Sequence, residues 1–171
     1  MRALFLLLAV SLAVPAVAQT QAQLDAKAEA DAMKQSAADA KTAALSEKMN
    51  ALAQLSAAMA ERANCPEGES RDMGDADVVS GNVTIAYGDI EYNNAHLPGV
   101  NGGLDWSTGN ANWSAGNYAA ATANYTGAVI WYELAGVFYD DAGGSYLSAE
   151  SDYCSAEANY WEGSQGGEED E

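Results

Sequence analysis

The sequence predicts an α+β fold, in which a long N-terminal helix precedes a small acidic domain that contains a β-hairpin. Three observations lead to this prediction. The segment 19–64 is rich in alanine and has neither glycine nor proline, which favours one long helix. The segment 78–94 shows strand-like alternation of its side chains. Tyrosine then recurs at an unbroken seven-residue spacing from Tyr118 to Tyr160.

The start of the chain, residues 1–18, has the pattern of a secretory signal peptide. Arg2 supplies a positive charge, residues 4–14 form an apolar run, and residues 16–18 (Ala-Val-Ala) match a small-x-small cleavage site. The apolar run is too short to favour a membrane-spanning helix, and no later stretch qualifies. We therefore expect an exported mature protein, located in a bacterial periplasm, at the cell surface or outside the cell.

The long helix, residues 19–64, carries a heptad pattern of its own. Lysine recurs every seven residues, at Lys27, Lys34, Lys41 and Lys48. In the same frame four large apolar residues of the second half of the helix fall at the a and d positions of a coiled coil, namely Leu45, Met49, Leu52 and Met59. The pattern predicts a homo-oligomeric coiled coil that associates through these four residues. The open alternative is an alanine-rich amphipathic helix packed on its own chain.

Composition and charge change abruptly after this helix. The segment 65–77 contains Pro66 and Gly68 and is predicted to be a linker. Every lysine and arginine lies at or before Arg71, so residues 72–171 hold 17 acidic and no basic side chains. Because nucleic acids and anionic membranes bind to cationic surfaces, this half of the chain is not expected to contact either of them.

The acidic domain is predicted to span residues 78–162. Larger and smaller side chains alternate over residues 83–87, between Gly-Asn and Gly-Asp turn signals, and this pattern predicts the β-hairpin. Residues 96–105 contain proline and three glycines and are expected to form a loop. The Gly- and Glu-rich end, residues 163–171, is expected to be a disordered acidic tail.

Seven tyrosines define the aromatic repeat: Tyr118, Tyr125, Tyr132, Tyr139, Tyr146, Tyr153 and Tyr160. Alanine follows each of the first six after three residues, at Ala121, Ala128, Ala135, Ala142, Ala149 and Ala156. On a helix this spacing places the rings in one stripe beside a column of small residues, which suits packing between helices. We predict helices over residues 117–142 and 146–161, joined by a turn at Gly143-Gly144. Because Thr and Gly interrupt the run, an all-β short-repeat solenoid or sandwich is the alternative.

The two cysteines, Cys65 and Cys154, are expected to form an intramolecular disulfide. Their even number suits an exported chain in an oxidising compartment. The bond would close a loop of about 90 residues and contribute about 4–5 kcal/mol in the chain-entropy model. The alternative is a bridge between two chains.

Few residues in the sequence are suited to catalysis or metal binding. His96 is the only histidine, and no serine stands in a nucleophile-elbow sequence, so no enzymatic activity is expected. With both cysteines assigned to a disulfide, a zinc site lacks ligands. No cofactor is predicted, although calcium binding stays open without a recognisable calcium loop. The candidates for ligand stacking are the tryptophans, Trp106, Trp113, Trp131 and Trp161.

These patterns favour an exported, non-enzymatic structural, assembly or adhesion protein of a bacterial cell envelope or surface. The N-terminal helix would oligomerise, and the acidic aromatic repeat would be presented to an envelope protein or polysaccharide partner. The alternative is a secreted module that binds carbohydrate or calcium. The two hypotheses differ in their aromatic residues, because tryptophans that line a groove beside carboxylates favour ligand binding, whereas a continuous stripe favours association.

Overall fold

The computed structural model describes residues 19–166, and these residues form four α-helices. Their bounds are α1 Gln21–Arg62, α2 Glu69–Asn94, α3 His96–Ser114 and α4 Tyr118–Gln165. The chain runs along α1, returns along α2 and α3, and runs back along α4. Helix α4 packs extensively against each of the other helices, whereas α1 touches α2 and α3 much less. Helix α4 is therefore the central element of the bundle.

Helix α1 packs on α4 through alanines that recur every seven residues. The buried residues of α1 are Ala30, Ala37, Ala44, Ala51 and Ala58, and they cluster with the alanine column of α4. Ala44 clusters with Ala142 and Ala58 with Ala156, so the two helices run in parallel. A Cβ built on Gly143 would lie 3.8 Å from the Ala44 Cα. Small side chains on both helices thus let their backbones approach closely.

Two local features help to set the helix boundaries, one at the start of α1 and one between α3 and α4. Thr20 caps α1, because its side-chain oxygen accepts a hydrogen bond from the Gln23 backbone N–H and the Gln23 side chain accepts one from the Thr20 N–H. Gly116 lies between α3 and α4 with a φ of 79°. This left-handed conformation is easily reached only by glycine, so Gly116 allows the turn between these helices.

The division between α2 and α3 is a short interruption at Ala95. Pro98 has no N–H to donate to the Asn94 carbonyl, which breaks the ladder of helical hydrogen bonds at this point. Ala95 nevertheless keeps helical backbone angles, with φ −67° and ψ −19°, and Gly99 donates its N–H to the Ala95 carbonyl. Together α2 and α3 therefore cover the length of α4 in the antiparallel direction.

The predicted α+β fold is wrong, and so is its all-β alternative. No strand is present in residues 19–166. The expected β-hairpin, residues 78–94, lies within α2, and the expected loop, residues 96–105, lies within α3. The expected turn at Gly143-Gly144 is inside α4. The physical reason is that packing against α4 outweighs the low helix propensity of the glycines in these segments.

The remaining predicted segments lie at the helix ends. Within the expected linker, residues 65–77, helix α2 already begins at Glu69. The expected signal peptide, residues 1–18, lies outside the described residues. Of the expected disordered tail, residues 163–165 belong to α4, and residues 167–171 lie outside the described residues.

Candidate functional site

The tyrosines of α4 pack onto glycines of α2 and α3. The contacting pairs are Gly74 with Tyr160, Gly81 with Tyr153, Gly88 with Tyr146, Gly102 with Tyr132, and Gly109 with Tyr125. A Cβ added to Gly88 would lie 2.6 Å from the Tyr146 ring, so the ring occupies the space that any larger side chain would need. Ala95 takes the equivalent place beside Tyr139. The rings from Tyr125 to Tyr160 are buried, so the tyrosine stripe is a packing surface.

Polar side chains on α2 and α3 accept hydrogen bonds from the hydroxyl groups of four of these tyrosines. Each acceptor directly follows a packing glycine, and the pairs are Tyr160 with Asp75 (2.7 Å), Tyr153 with Asn82 (3.0 Å), Tyr146 with Asp89 (2.7 Å), and Tyr125 with Asn110 (2.9 Å). A buried tyrosine hydroxyl needs a hydrogen-bond partner, and the Gly-Asp and Gly-Asn pairs supply it.

Helix α1 adds one side chain beside each tyrosine, at the seven-residue spacing of its lysines. We call one α1 side chain, one α4 tyrosine and one residue of α2 or α3 at the same level a rung. The α1 members are Lys27, Lys34, Lys41, Lys48, Leu55 and Arg62. All but Leu55 are cationic, so α1 lays a row of positive charge along the tyrosines.

The charged rungs contain ion pairs at Asp75 and Asp89. The Arg62 guanidinium donates to both carboxylate oxygens of Asp75, at 2.5 and 2.8 Å. These bonds, with a further one from Tyr160, hold the pKa of Asp75 well below its ordinary value. Burial, together with the hydrogen bond to Asp75, raises the pKa of Tyr160 to about 12. The Lys48 ammonium forms an ion pair with Asp89 at 2.5 Å. In each of these two rungs the cation and the carboxylate therefore neutralise each other.

The two middle rungs have no acidic member. They are Lys34 with Tyr132 and Gly103, and Lys41 with Tyr139 and His96. Here the bundle opens into a groove of about 370 Å³, which we call the central groove. Lys34, Lys41 and His96 line it together with the two tyrosines.

The central groove exists because Gly99 interrupts a column of large side chains. Five large residues occupy this column on α2 and α3 at seven-residue spacing, namely Val78, Ile85, Tyr92, Trp106 and Trp113, and each packs against a buried cluster. A Cβ built on Gly99 meets nothing within 4 Å. The missing side chain leaves an opening between Tyr92 and Trp106.

The four tryptophans expected to stack on a ligand do not form one site. Trp106 packs on the core and donates its indole N–H to Asp31 at 2.7 Å, while Trp113 packs edge-on against Tyr118. Trp131 is half-buried and Trp161 is 55% exposed. Since Trp131 and Trp161 are separated by about 45 Å of helix, they cannot line a common groove.

The residues predicted to oligomerise all remain on the surface. The exposed fractions are 42% for Leu45, 70% for Met49, 45% for Leu52 and 43% for Met59. The lysines, however, face the tyrosines and α2–α3 rather than a partner helix. The heptad pattern of α1 therefore combines two faces, an alanine and lysine face that packs within the chain and an apolar face that stays open.

The predicted disulfide is wrong, because Cys65 and Cys154 are both free. Cys65 is buried against Ala58, Ala156 and Tyr160, whereas Cys154 is exposed. A Cβ built on Gly163 would collide with the Cys65 sulfur, so Cys65 lies level with that residue. Gly163 follows Cys154 by about 14 Å of helix. A disulfide needs Cα atoms closer than about 7 Å, so the two thiols are too far apart.

The glycine column is the feature that the sequence reasoning missed. Its signal is present in the sequence as Gly-Asp or Gly-Asn pairs at multiples of seven residues: Gly74-Asp75, Gly81-Asn82, Gly88-Asp89 and Gly109-Asn110. Two of these pairs, Gly81-Asn82 and Gly88-Asp89, predict hairpin turns when they are considered alone, because Gly-Asn and Gly-Asp are also typical of tight turns. The matching period of the tyrosines was the evidence that these glycines face α4.

Among residues 19–166, no group of three or more His, Cys, Asp or Glu side chains is arranged to hold a metal ion. None of the described helices is long and apolar enough to cross a membrane. No protein-family model, curated protein or solved structure matches this chain.

Proposed function

We propose that this chain is an exported, non-enzymatic assembly protein that associates with a second copy of itself through α1. The contact would be the α1 outer face, which we define as Leu45, Met49, Leu52 and Met59. These residues follow one another by four, three and seven positions, so they lie in one stripe on the helix. Export is supported by the signal-peptide pattern of residues 1–18.

The observation that carries the proposal is that these large apolar side chains are exposed while only alanine is buried in α1. In a helix that packs only within its own chain, the large apolar residues normally face the core. Here the close approach to α4 excludes them, and a row of apolar side chains remains uncovered. Such a row is typical of a surface that binds another protein.

Charge favours a second copy bound at α1 over one bound at α4. Helix α1 carries five basic and six acidic side chains and is nearly neutral, whereas α4 carries seven acidic and no basic ones. The whole chain has a net charge of −18. Because like charges repel, two copies meet with less electrostatic cost along α1 than along α4. Helix α3, with Asp105 as its one acidic residue, has the same net charge as α1, so the α3 control below separates these two helices.

The test is the mass of the purified chain in solution, measured by sedimentation equilibrium at tens of micromolar. We expect a dimer or higher oligomer, and we expect the double variant Leu45→Asp/Leu52→Asp to be monomeric. The matched control is Leu97→Asp/Leu104→Asp, since these α3 leucines are also exposed and seven residues apart. The control should keep the mass of the unmodified protein.

Two results would contradict this function. One is a monomeric unmodified protein at these concentrations, and the other is equal dissociation by the α1 and α3 double variants. Circular dichroism of each variant should show unchanged helix content, because the substituted side chains are exposed and belong to none of the buried clusters. A change in mass can then be assigned to the contact rather than to unfolding.

A further inference from the structure

The cations of α1 differ in whether a carboxylate pairs with them. Lys27 binds Asp31, Lys48 binds Asp89 and Arg62 binds Asp75. Among the described residues, Lys34 and Lys41 have no carboxylate within ion-pair distance. Both of these lysines line the central groove. Positive charge that is neutralised toward either end of the bundle is therefore left uncompensated in its middle.

Aromatic rings hold the two ammonium groups at the groove. The Lys34 Nζ lies 3.4 Å above the centre of the Trp106 ring. The Lys41 Nζ lies 6.0 Å from the centres of both the Tyr92 and the Tyr139 rings. Ring faces attract cations but leave the opposite side of the ammonium free to donate hydrogen bonds. Each lysine is thus positioned without being saturated.

The surroundings of the groove contain little competing negative charge. Residues 92–104 have no acidic side chain. Asp31, the carboxylate whose pKa Lys34 helps to lower, already accepts hydrogen bonds from Lys27 and Trp106. The acidic charges elsewhere on the chain are attenuated over about 8 Å at physiological ionic strength. A negatively charged ligand can therefore be attracted locally by a protein that is acidic as a whole.

We propose that the central groove binds a small elongated dianion, with one carboxylate or phosphate group on Lys34 and the other on Lys41. The two lysines are one heptad apart, so their Cα atoms are separated by about 10 Å along α1. The body of the ligand would lie on Val100 and on the rings of Tyr132 and Tyr139, which line the same groove. The groove volume of about 370 Å³ is in the range of small-molecule sites. This site is independent of the association proposed for α1.

The first test compares two probes of matched shape, naphthalene-2,6-dicarboxylate and 2-naphthoate, by isothermal titration calorimetry. We expect the dicarboxylate to bind at least about tenfold more tightly, because only it reaches both lysines. Lys34→Gln and Lys41→Gln should each weaken dicarboxylate binding by about tenfold or more. Arg62→Gln removes a cation that is paired with Asp75 and lies about 31 Å of helix beyond Lys41, so it should leave the affinity unchanged.

The second test alters the groove without removing a lysine. Gly103→Asp would place a carboxylate opposite Lys34, as Asp89 lies opposite Lys48, and its Cβ would meet only the Tyr132 hydroxyl, at 3.9 Å. Gly99→Leu would occupy the opening where a Cβ meets nothing. We expect both variants to keep the helix content of the unmodified protein and to lose at least tenfold in dicarboxylate affinity.

The proposal is overturned by any of three results. The unmodified protein does not bind the dicarboxylate at millimolar concentration, or it binds the monoacid equally well, or Gly99→Leu and Lys34→Gln bind the dicarboxylate as the unmodified protein does. Because monomeric and associated forms both contain the groove, failure of this test is distinguishable from failure of the α1 contact.

Discussion

Replacing Gly88 with alanine tests whether the tyrosines and glycines are packed as tightly as the structure indicates. The new Cβ would lie 2.6, 2.8 and 3.1 Å from three atoms of the Tyr146 ring. The ring cannot move aside easily, because Ala44 and Ala142 pack around it and its hydroxyl is bound to Asp89. Overpacking of this kind costs about 1–3 kcal/mol. Alanine in place of glycine contributes about 1 kcal/mol of helix propensity in the opposite direction.

Three overlapping atoms of a rigid ring place the overpacking cost in the upper part of its range. We therefore expect Gly88→Ala to lower the free energy of unfolding by about 1–2 kcal/mol. Gly144→Ala is the matched control, since this glycine is also inside a helix but a Cβ built on it meets nothing within 4 Å. It should raise the free energy of unfolding by about 0.5–1 kcal/mol.

The assay is urea denaturation followed by circular dichroism, with the slope of each transition compared between variants. The two substitutions are chemically identical, so their opposite signs would report the packing alone. Stabilisation by both substitutions, or an unchanged free energy for Gly88→Ala, would refute the close packing of Tyr146 on Gly88.

Two further predictions concern ionisation and thiol reactivity. Folding raises the pKa values of the six buried tyrosines, from Tyr125 to Tyr160, and burial is the first cause at each. Their contribution to stability is therefore fully present below the unfolded value of about 10 and is lost as the pH rises through the folded values, about 12 at Tyr160. Urea denaturation from about pH 8 to about pH 11 should show this loss, and a constant free energy of unfolding would contradict it. A maleimide reagent should label exposed Cys154 in the folded protein and buried Cys65 only after unfolding; mass spectrometry of the peptides checks this, and equal labelling of both would contradict the burial of Cys65.

The ion pairs specify the register between α2–α3 and the other helices, which the apolar repeat alone does not. Because the small residues recur every seven positions, sliding α2–α3 by one heptad along the other helices would still place most rings on small residues. The same slip would move Arg62 away from Asp75 and Lys48 away from Asp89, to face Asn82 and His96 instead. A charge that loses its partner in a partly buried position is unfavourable. The paired rungs therefore favour the observed register over this slipped one.

Helix α1 and the periodicity of α4 were accessible from the sequence. Residues 19–64 contain strong helix formers and no glycine or proline, so local propensity and tertiary packing agree there. The spacing of the tyrosines and alanines correctly indicated a large-small stripe on a helix. In both cases the pattern within a single segment was enough to predict a helix there.

Only the tertiary structure decided that residues 69–114 form helices. Local preference there opposes helix formation, since glycine recurs through the segment and Gly-Asn and Gly-Asp resemble turns. The glycines become favourable only when the rings of Tyr125 to Tyr160 occupy the space beside them, and that contact joins residues up to 86 positions apart, as between Gly74 and Tyr160.

The same limit applies to the groove and to the thiols. The sequence shows that the chain contains Lys34, Lys41 and His96 and that the two lysines are one heptad apart. The structure decided that they share an opening beneath Gly99, and that Cys65 and Cys154 are separated. The physical reason is that one helix fixes only the spacing along its own axis, whereas the level at which two helices meet depends on how the side chains of both pack together.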